Sequence, residues 1–582
     1  MIEFTINELI KNSKRQLEQP HSVSKVAILG DSSTQLFSKA LKGYAFEQNI
    51  EFDIYEADYA SVELNVFDAS SRLYSFEPDF IILYQSTLSL HKKFLTTEFN
   101  EKTKFGEKVI KNIEQYLAFI NSQIETKIIV FNYGELSDIT FGNFGNKTKI
   151  SWIYQLRYIN FQIMEISQKS PNVFVNDMTV LQSYLGFSKT YDMRTYIRTD
   201  VATNIDSIPF IVKNCVDIIK AVIGQFNKCL ILDLDNTTWG GIIGDDGLEK
   251  IQIGALGIGK AFTELQLWAK NLKERGIILA VCSKNTENIA KEPFEKHPDM
   301  VLKLSDIAVF VANWENKADN IRHIQSILNI GFDSMVFLDD NPFERNLVRS
   351  ELPEVTVPEL PKDPSDYISY LRMLNLFETV SFSVMDSSRT QKYQEEASRT
   401  TLKSSFKTIE EYLISLEMKA DIKPFDEFNL PRIAQLTLRS NQFNLRTIRY
   451  TDKEVFSLMN SKKHITRYIS LSDKFGDYGL ISLVVMEKID KRSLFIDTWL
   501  MSCRVLKRGI EKFLLNELVI IALKSGFKEL IGERIPTLKN VLVKDHYKDL
   551  GFIEKNEKWL LNLDTFKPFE THISKKIAIK LV

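Results

Sequence analysis

The chain has 582 residues, too many for one hydrophobic core and the length of about three domains. Its content of 44% hydrophobic and 26% charged residues is that of folded globular proteins. A net charge of −2 gives no global pull toward nucleic acid or anionic membrane, and no run of apolar residues approaches the ~18 that a membrane span needs.

The opening stretch, MIEFTINELIKNSKRQLEQ, is amphipathic and charged and has no apolar core of signal-peptide type. Four scattered cysteines (Cys215, Cys229, Cys282, Cys503) with no Cys-x-x-Cys fit a reducing, cytoplasmic location. Residues 1–210 read as an α/β domain. Three buried strands are expected at 25–33 (KVAILGDSS), 79–86 (DFIILYQS) and 127–134 (KIIVFNYG), with helical periodicity over 100–125 and 152–168. Gly30-Asp31-Ser32 after the first strand resembles the nucleophile block of SGNH hydrolases. A serine nucleophile needs a base. That family takes its His from a late Asp-x-x-His block, and the matching region here, YDMRTYIRTD (191–200), has none. His21 and His91 lie in no such block. The reading is an SGNH-like three-layer domain without esterase chemistry, a docking or scaffold unit.

Residues 211–225 are expected to be a helix leading into a second domain, 226–375. Its first strand runs through Leu230, Ile231 and Leu232 into Asp233 and Asp235, followed by Asn-Thr-Thr. A short apolar run stopping at Asp-x-Asp reads as a buried parallel strand whose carboxyl end is a site. Two carboxylates so close repel each other and attract a hard cation such as Mg²⁺. One can attack phosphorus while the other handles the leaving-group proton. A second apolar strand, 277–285, ends in Ser283 and Lys284. Lys317 stands at an expected helix start within NWENKADN (313–320). A third strand, 334–345, ends in Asp339 and Asp340. This order of Asp, Ser, Lys and Asp-Asp resembles the four signature motifs of the haloacid dehalogenase (HAD) superfamily. The gaps between motifs hold a short flap (239–247) and crossover helices, so the expected fold is a capless, Rossmann-like HAD domain. A site without a lid can admit a macromolecular partner. Four prolines between Pro353 and Pro364 read as the end of the sheet and a linker.

Residues 376–582 form the third domain, whose first part, 376–420, is charged and helical. Strands at 467–473, 478–488 and 493–502 suggest an antiparallel meander. A long helix over 503–526, a strand at 528–535 and a helix over 536–552 follow. This layout resembles the mixed-sheet GNAT acyltransferases, whose pyrophosphate loop opens a helix. The corresponding stretch is Arg504-Val505-Leu506-Lys507-Arg508-Gly509, with Lys507 where a glycine is usual. Arg504 and Arg508 would still favour a phosphate group. Asn540, Tyr547 and Gly551-Phe552 match the other GNAT motif.

Together the three domains resemble the FkbH family over nearly the whole chain. The most specific stretches are DLDNTTWGGIIGDDG (233–247), CSKN (282–285), FLDDNPFER (337–345), SNQFNLRT (440–447) and LMSCRVLKRGIE (500–511). Thr238, usually Leu, and Lys507, usually Gly, depart from the pattern. The resemblance implies a glyceryltransferase/phosphatase. Such enzymes take D-1,3-bisphosphoglycerate, a phosphorylated three-carbon acyl substrate, and form a glyceryl thioester on a cysteine. They then remove the remaining phosphate and pass the glyceryl unit to the phosphopantetheine arm of an acyl carrier protein in polyketide or related biosynthesis. Alternatives are a plain HAD phosphomonoesterase whose outer domains bind a protein partner, and a non-catalytic carrier-docking platform.

On that reading Asp233 is the nucleophile and Asp235 the general acid and base. Mg²⁺ is held by Asp233, the backbone carbonyl of Asp235, and Asp339, with Asp340 close by. Ser283 and Lys317 stabilise the phosphoryl oxygens. Lys284 and Asn285 beside Ser283, and Asn441, Gln442, Asn444 and Arg446 in the 440–447 stretch, are candidate contacts to substrate or pantetheine. The acyl-carrying thiol needs a lowered pKa. Cys282, one residue before Ser283 and near Lys317, is the favoured candidate, and Cys503, at an expected helix start beside Arg504, is the second. Cys215 and Cys229 read as core thiols. The remaining histidines are dispersed with no zinc spacing, and no basic stripe suggests nucleic acid.

Overall fold

The computed structural model describes residues 4–18, 20–59, 61–380, 394, 399, 402, 406, 408–440, 443–502, 505–537 and 540–576. The chain divides into two compact units, Met1–Lys228 with Glu359–Ser383, and Cys229–Pro358 with Val384–Val582.

The first unit is built on a parallel sheet of β1 (Ser22–Gly30), β2 (Ile50–Glu56), β3 (Phe80–Tyr84), β4 (Lys127–Phe131) and β5 (Val173–Asn176), in the order β2-β1-β3-β4-β5. The central strands are the three apolar runs found in the sequence. The edge strands β2 and β5 lack the uninterrupted apolar run of the central strands, because β2 carries Glu51, Asp53 and Glu56 among its apolar residues and β5 is four residues long. Apolar clusters cover both faces. One contains Trp152 and Ile159 from the helix Trp152–Lys169, and the other contains Leu9, Leu41 and Val212 from three further helices. This is the expected α/β three-layer arrangement.

The proline-rich segment after 352 is more than a linker. It carries the helix Tyr367–Leu374, and its end is fixed to the helix Ile208–Val222 and the turn after it. Lys213 Nζ donates to the Leu374 carbonyl at 2.8 Å, and Asn227 Nδ2 donates to the Leu376 carbonyl at 2.6 Å. Asn375 Nδ2 lies 3.3 Å from Asp217 Oδ2, the ion-pair partner of Lys213. Where the sequence suggests one domain over 226–375, the chain leaves the unit carrying that sheet after Pro358, and Glu359–Ser383 belongs to the first unit.

In the second unit a four-stranded parallel sheet contains β6 (Cys229–Leu232), β7 (Ile278–Ser283), β8 (Ile307–Ala312) and β9 (Met335–Leu338), in the order β8-β7-β6-β9. β6 lies between β7 and β9 and is buried along its whole length, which its uninterrupted apolar run requires. Between β6 and β7 stand only the four-residue helix Ile243–Asp246 and the crossover helix Gly259–Glu274. Between β7 and β8 stand Glu287–Lys296 and one 3₁₀ turn. No cap domain is inserted among these described residues.

A third, mixed sheet contains β10 (Lys419–Lys423), β11 (His464–Ser472), β12 (Asp477–Lys488), β13 (Ser493–Met501), β14 (Glu529–Gly532), β15 (Ile553–Lys555), β16 (Lys558–Asn562) and β17 (Ser574–Lys575). Its order is β15-β16-β14-β13-β12-β11-β10-β17. β11 to β13 form the expected antiparallel meander, β10 adds a strand that the sequence reading lacks, and β14 joins β13 in parallel through the helix Ile510–Lys524. That helix starts seven residues later than 503. Lys507 and Gly509 have positive φ (60° and 77°), which no helix accommodates. The helix expected over 536–552 is reduced to a 3₁₀ turn, Val541–Val543, and one short turn, His546–Asp549.

Candidate active site

Asp233 follows β6 directly, and its N–H donates to the Leu338 carbonyl of β9 at 2.9 Å. Thr238 Oγ1 donates to the Asp233 carbonyl at 2.6 Å, so the backbone is fixed from both sides. This gives Thr238, the departure from the family pattern, a structural task. Asn236, at φ 56°, makes the turn that sends the chain into the flap, and its side-chain oxygen accepts from Gly241 N–H at 2.9 Å.

Three carboxylates converge at this edge. Atoms of Asp233, Asp339 and Asp340 lie within 4.8 Å of one another, an arrangement that can hold a metal ion. Lys317, first residue of the helix Lys317–Leu328, reaches in from the next loop. Its Nζ is 2.9 Å from Asp233 Oδ1 and 2.5 Å from Asp339 Oδ2. Asn316 caps this helix by accepting from Asp319 N–H at 2.8 Å, which fixes where Lys317 emerges. Burial alone would lower the Lys317 pKa, but the charges of Asp233 and Asp339 outweigh it and raise it, so the ammonium stays charged. With no cation bound, burial and then the Asp233 charge push Asp339 up to about 7. Three acids facing one ammonium leave excess negative charge that a divalent cation would neutralise.

The Asp235 carboxylate is not part of that triad. Oδ1 accepts from Trp239 Nε1 at 2.9 Å and from Ile243 N–H at 3.0 Å, and Oδ2 accepts from Asn285 Nδ2 at 3.1 Å. Burial raises its pKa, the Ile243 and Trp239 bonds offset part of the shift, and the Asp233 charge adds to it. A carboxyl held this way keeps a proton more readily than an exposed one, as a general acid must. With its carboxylate engaged in these bonds, Asp235 keeps only its backbone carbonyl for a metal, the role its sequence suggests.

Ser283 ends β7 at the same edge and is 1% exposed. Its neighbours take other roles than expected. Lys284 Nζ is paired with Glu344 at 2.6 Å and Asn285 holds Asp235, so both are corrected from substrate contacts to supporting groups. Cys282 is corrected as well. Adjacent residues on a strand face opposite sides, so Cys282 points away from the side Ser283 faces. It is fully buried in an apolar cluster with Ile278, Ala280 and Ile321, and burial pushes its thiol pKa well up despite Lys317. Such a thiol is not a nucleophile. Cys215 and Cys229 are equally buried with raised pKa values.

The sequence also left supporting residues unassigned. Arg345, 3% exposed, donates from Nη1 to the carbonyls of Asp339 (2.8 Å) and Asp340 (2.6 Å) and so fixes the turn bearing both acids. Thr237 Oγ1 accepts from Asp340 N–H at 3.0 Å. Arg345 stands four residues after Asn341, the cap of the helix Pro342–Glu351. That spacing, one helical turn, is the signal that could have found it.

In the third sheet the expected contacts turn inward. Asn444 is 1% exposed, and its side-chain oxygen accepts from Thr447 N–H at 2.8 Å. Arg446 pairs with Asp497 (2.5 Å) and Glu533 (2.8 Å). Arg508 is 8% exposed, donates to the Tyr478 hydroxyl and stacks over that ring at 5.1 Å. All three are corrected from ligand contacts to structural groups. Asn441, Gln442, Cys503 and Arg504 lie outside the described residues. In the first unit Ser32 is 2% exposed and its hydroxyl has no hydrogen-bond partner, while the His91 ring packs on Trp152 at 4.7 Å. Among the described residues no base is hydrogen-bonded to the Ser32 hydroxyl.

Comparison with known proteins agrees with this geometry. The FkbH N-terminal domain family model matches residues 25–220. The crystal structure of the N-terminal part of the protein BF1531 from Bacteroides fragilis, containing a phosphatase domain and complexed with Mg, is 50% identical. It covers 65% of this chain and 100% of its own, with a TM-score of 0.63. The ribosomal-protein-S18-alanine N-acetyltransferase from Escherichia coli (14% identity, 25% of this chain, 94% of its own) and a spermidine N-acetyltransferase from Vibrio cholerae (13%, 25%, 96%) give TM-scores of only 0.20 and 0.21, too low to carry an argument. No curated protein matches. No helix of the described residues is long and apolar enough to cross a membrane. The HAD-type site is that of a phosphatase, and the FkbH family-model match together with half identity across the whole of the Bacteroides fragilis chain places this protein in the FkbH family.

Proposed function

We propose that the protein is an Mg²⁺-dependent glyceryl transferase and phosphatase that loads an acyl carrier protein. The observation that carries this reading is the lidless carboxyl edge of the second sheet. Asp233, Lys317 and the Asp339–Asp340 pair meet there with no cap domain to exclude a carrier-borne substrate. Mg²⁺ bound by Asp233, Asp339 and Asp340 would supply charge neutralisation at the phosphoryl oxygens. The chain's own residues supply the rest. Asp233 attacks phosphorus in line and takes the phosphoryl group as an acyl phosphate. Asp235, held by Trp239, Ile243 and Asn285, gives its proton to the leaving alkoxide and then removes one from the water that releases inorganic phosphate. Lys317 and Ser283 offset the charge that develops on the phosphoryl oxygens.

Glyceryl transfer begins when a thiolate attacks the acyl phosphate carbon of D-1,3-bisphosphoglycerate, forming a thioester and expelling inorganic phosphate. Cys215, Cys229 and Cys282 are buried with raised pKa values, which leaves Cys503 as the thiol. That thioester still carries the 3-phosphate, which is removed at Asp233. The glyceryl unit then passes to the phosphopantetheine thiol of the carrier, freeing the enzyme thiol. Intact-protein mass spectrometry tests this after mixing enzyme, bisphosphoglycerate and a carrier. The expected result is a glyceryl adduct on the enzyme that appears next on the carrier, persists in Cys282→Ser and vanishes in Cys503→Ser. Phosphate release without any adduct would instead mark a plain phosphomonoesterase.

A further inference from the structure

The resemblance of the third sheet to acyltransferases raises the question of whether it takes acyl-CoA. β14 faces β13 only from Ser493↔Glu529 to Ile496↔Gly532. From Asp497 to Met501 the same edge of β13 continues without it. An open strand edge is where an extended, amide-bearing ligand such as a pantetheine arm would add its own hydrogen bonds.

The chain fills that edge itself. Leu445 N–H donates to the Trp499 carbonyl at 3.2 Å, and Met501 N–H donates to the Phe443 carbonyl at 3.0 Å, with Asn444 opposite Leu500 in an antiparallel bridge. On the far side Ile535 N–H donates to the Leu445 carbonyl at 2.9 Å. Asn540, fully buried, donates from Nδ2 to the Asn444 carbonyl at 3.0 Å and to the Ile535 carbonyl at 2.9 Å. Phe443 and Leu445 are 4% and 1% exposed and belong to the main apolar cluster of this sheet. Arg446 closes the arrangement. It pairs with Asp497 and Glu533, each the residue just after the last β13–β14 pair. The phosphate end fits no better, because Arg508 is buried against Tyr478.

We infer that this protein occupies its own acyl-donor groove. Phe443–Leu445 take the edge of β13 that a pantetheine arm would need, Arg446 clasps them in place, and the C-terminal sheet therefore does not accept acyl-CoA. The inference also bears on the glyceryl-transfer reading, because a carrier's phosphopantetheine arm would then have to reach Cys503 by a path other than this edge. It implies that any acyl group carried by the protein arrives by another route, such as an acyl phosphate.

Two measurements on the full-length protein test it. Calorimetric titration with acetyl-CoA is expected to show no binding up to ~1 mM, and a micromolar dissociation constant would overturn the inference. Hydrogen exchange is expected to find the Leu445 and Met501 amides strongly protected without ligand. In Arg446→Ala, or in the milder Glu533→Gln, both should exchange about tenfold faster or more than in wild type relative to β11–β12 amides. Fast exchange in the wild type, or exchange unchanged in both variants, would show that the segment is not a clasped strand.

Discussion

The carboxyl ends of β6 and β1 make an instructive pair. Each is the end of a buried parallel strand, and each carries an acid with oxygen nucleophiles nearby. At β6, Asp233 is met by Lys317 from one loop and by Asp339 and Asp340 from another, and Ser283 ends the neighbouring strand β7 at the same edge. At β1, Asp31 accepts a hydrogen bond from Ser86 N–H at 2.9 Å, and burial pushes its carboxyl up to about 6. The Ser32 hydroxyl beside it has no hydrogen-bond partner among the described residues. The difference shows that a strand-end carboxylate becomes a catalytic site only when other elements deliver countercharge and proton carriers to it. The topology alone provides the edge.

The sharpest way to break this contrast is Asp233→Asn, which removes the nucleophile at β6. Phosphate release is expected to fall by about 10³-fold or more with the fold intact, and turnover near wild type would end the HAD assignment. Lys317→Met comes next. It leaves Asp233 and Asp339 buried without their ammonium, so turnover should fall by about 10²-fold and metal-free stability by about 3 kcal/mol. Chemical denaturation with and without Mg²⁺ checks this, and the cation should restore part of the stability.

Asn285→Ala is a subtler probe, because it touches the reaction through Asp235. The loss of one hydrogen bond to a carboxylate should reduce turnover about tenfold and shift the acid limb of the pH profile, while Mg²⁺ affinity stays unchanged. A change in Mg²⁺ affinity with no change in the pH profile would contradict that role.

The metal-free protein should also respond to pH in a defined direction. Asp339 holds its proton up to about 7, whereas the unfolded chain releases it near the ordinary value of 3.8. The folded state binds more protons in that window, so metal-free stability falls as pH rises from about 4 to about 7. Mg²⁺ affinity should rise over the same range, because the cation needs the carboxylate. Thermal unfolding across this window tests both. At the small end of the scale, Ser32→Ala should change turnover by less than about twofold, against the hundredfold or more of a lost catalytic group.

Much of the β6 site was legible in the sequence, because each chemical group stands next to an apolar run or a helix start. Asp233, Lys317, Asp339 and Asp340 meet at the strand edge their spacing suggests, and Ser283 ends the adjoining strand there. The failures have physical causes. Cys282 was favoured for its closeness in sequence to Ser283, yet strand parity turns neighbours to opposite faces and buries it. Arg446 and Asn444 read as ligand contacts because their partners Asp497, Glu533 and Asn540 are 51 to 96 residues away, beyond any local pattern. Lys284 and Asn285 were assigned to substrate for the same reason, since Glu344 and Asp235 come from other loops. The late start of the helix at Ile510 follows from two positive-φ residues, of which only Gly509 announces itself in sequence.

The account turns on Asp233 as a covalent nucleophile. Rapid acid quench of the enzyme turning over a phosphorylated substrate with Mg²⁺, followed by peptide mass mapping, tests this most directly. The expected result is one phosphoryl group on the peptide that contains Asp233, present during turnover and missing in Asp233→Asn. A phosphoryl group on another residue, or turnover in Asp233→Asn at the wild-type rate, would contradict it.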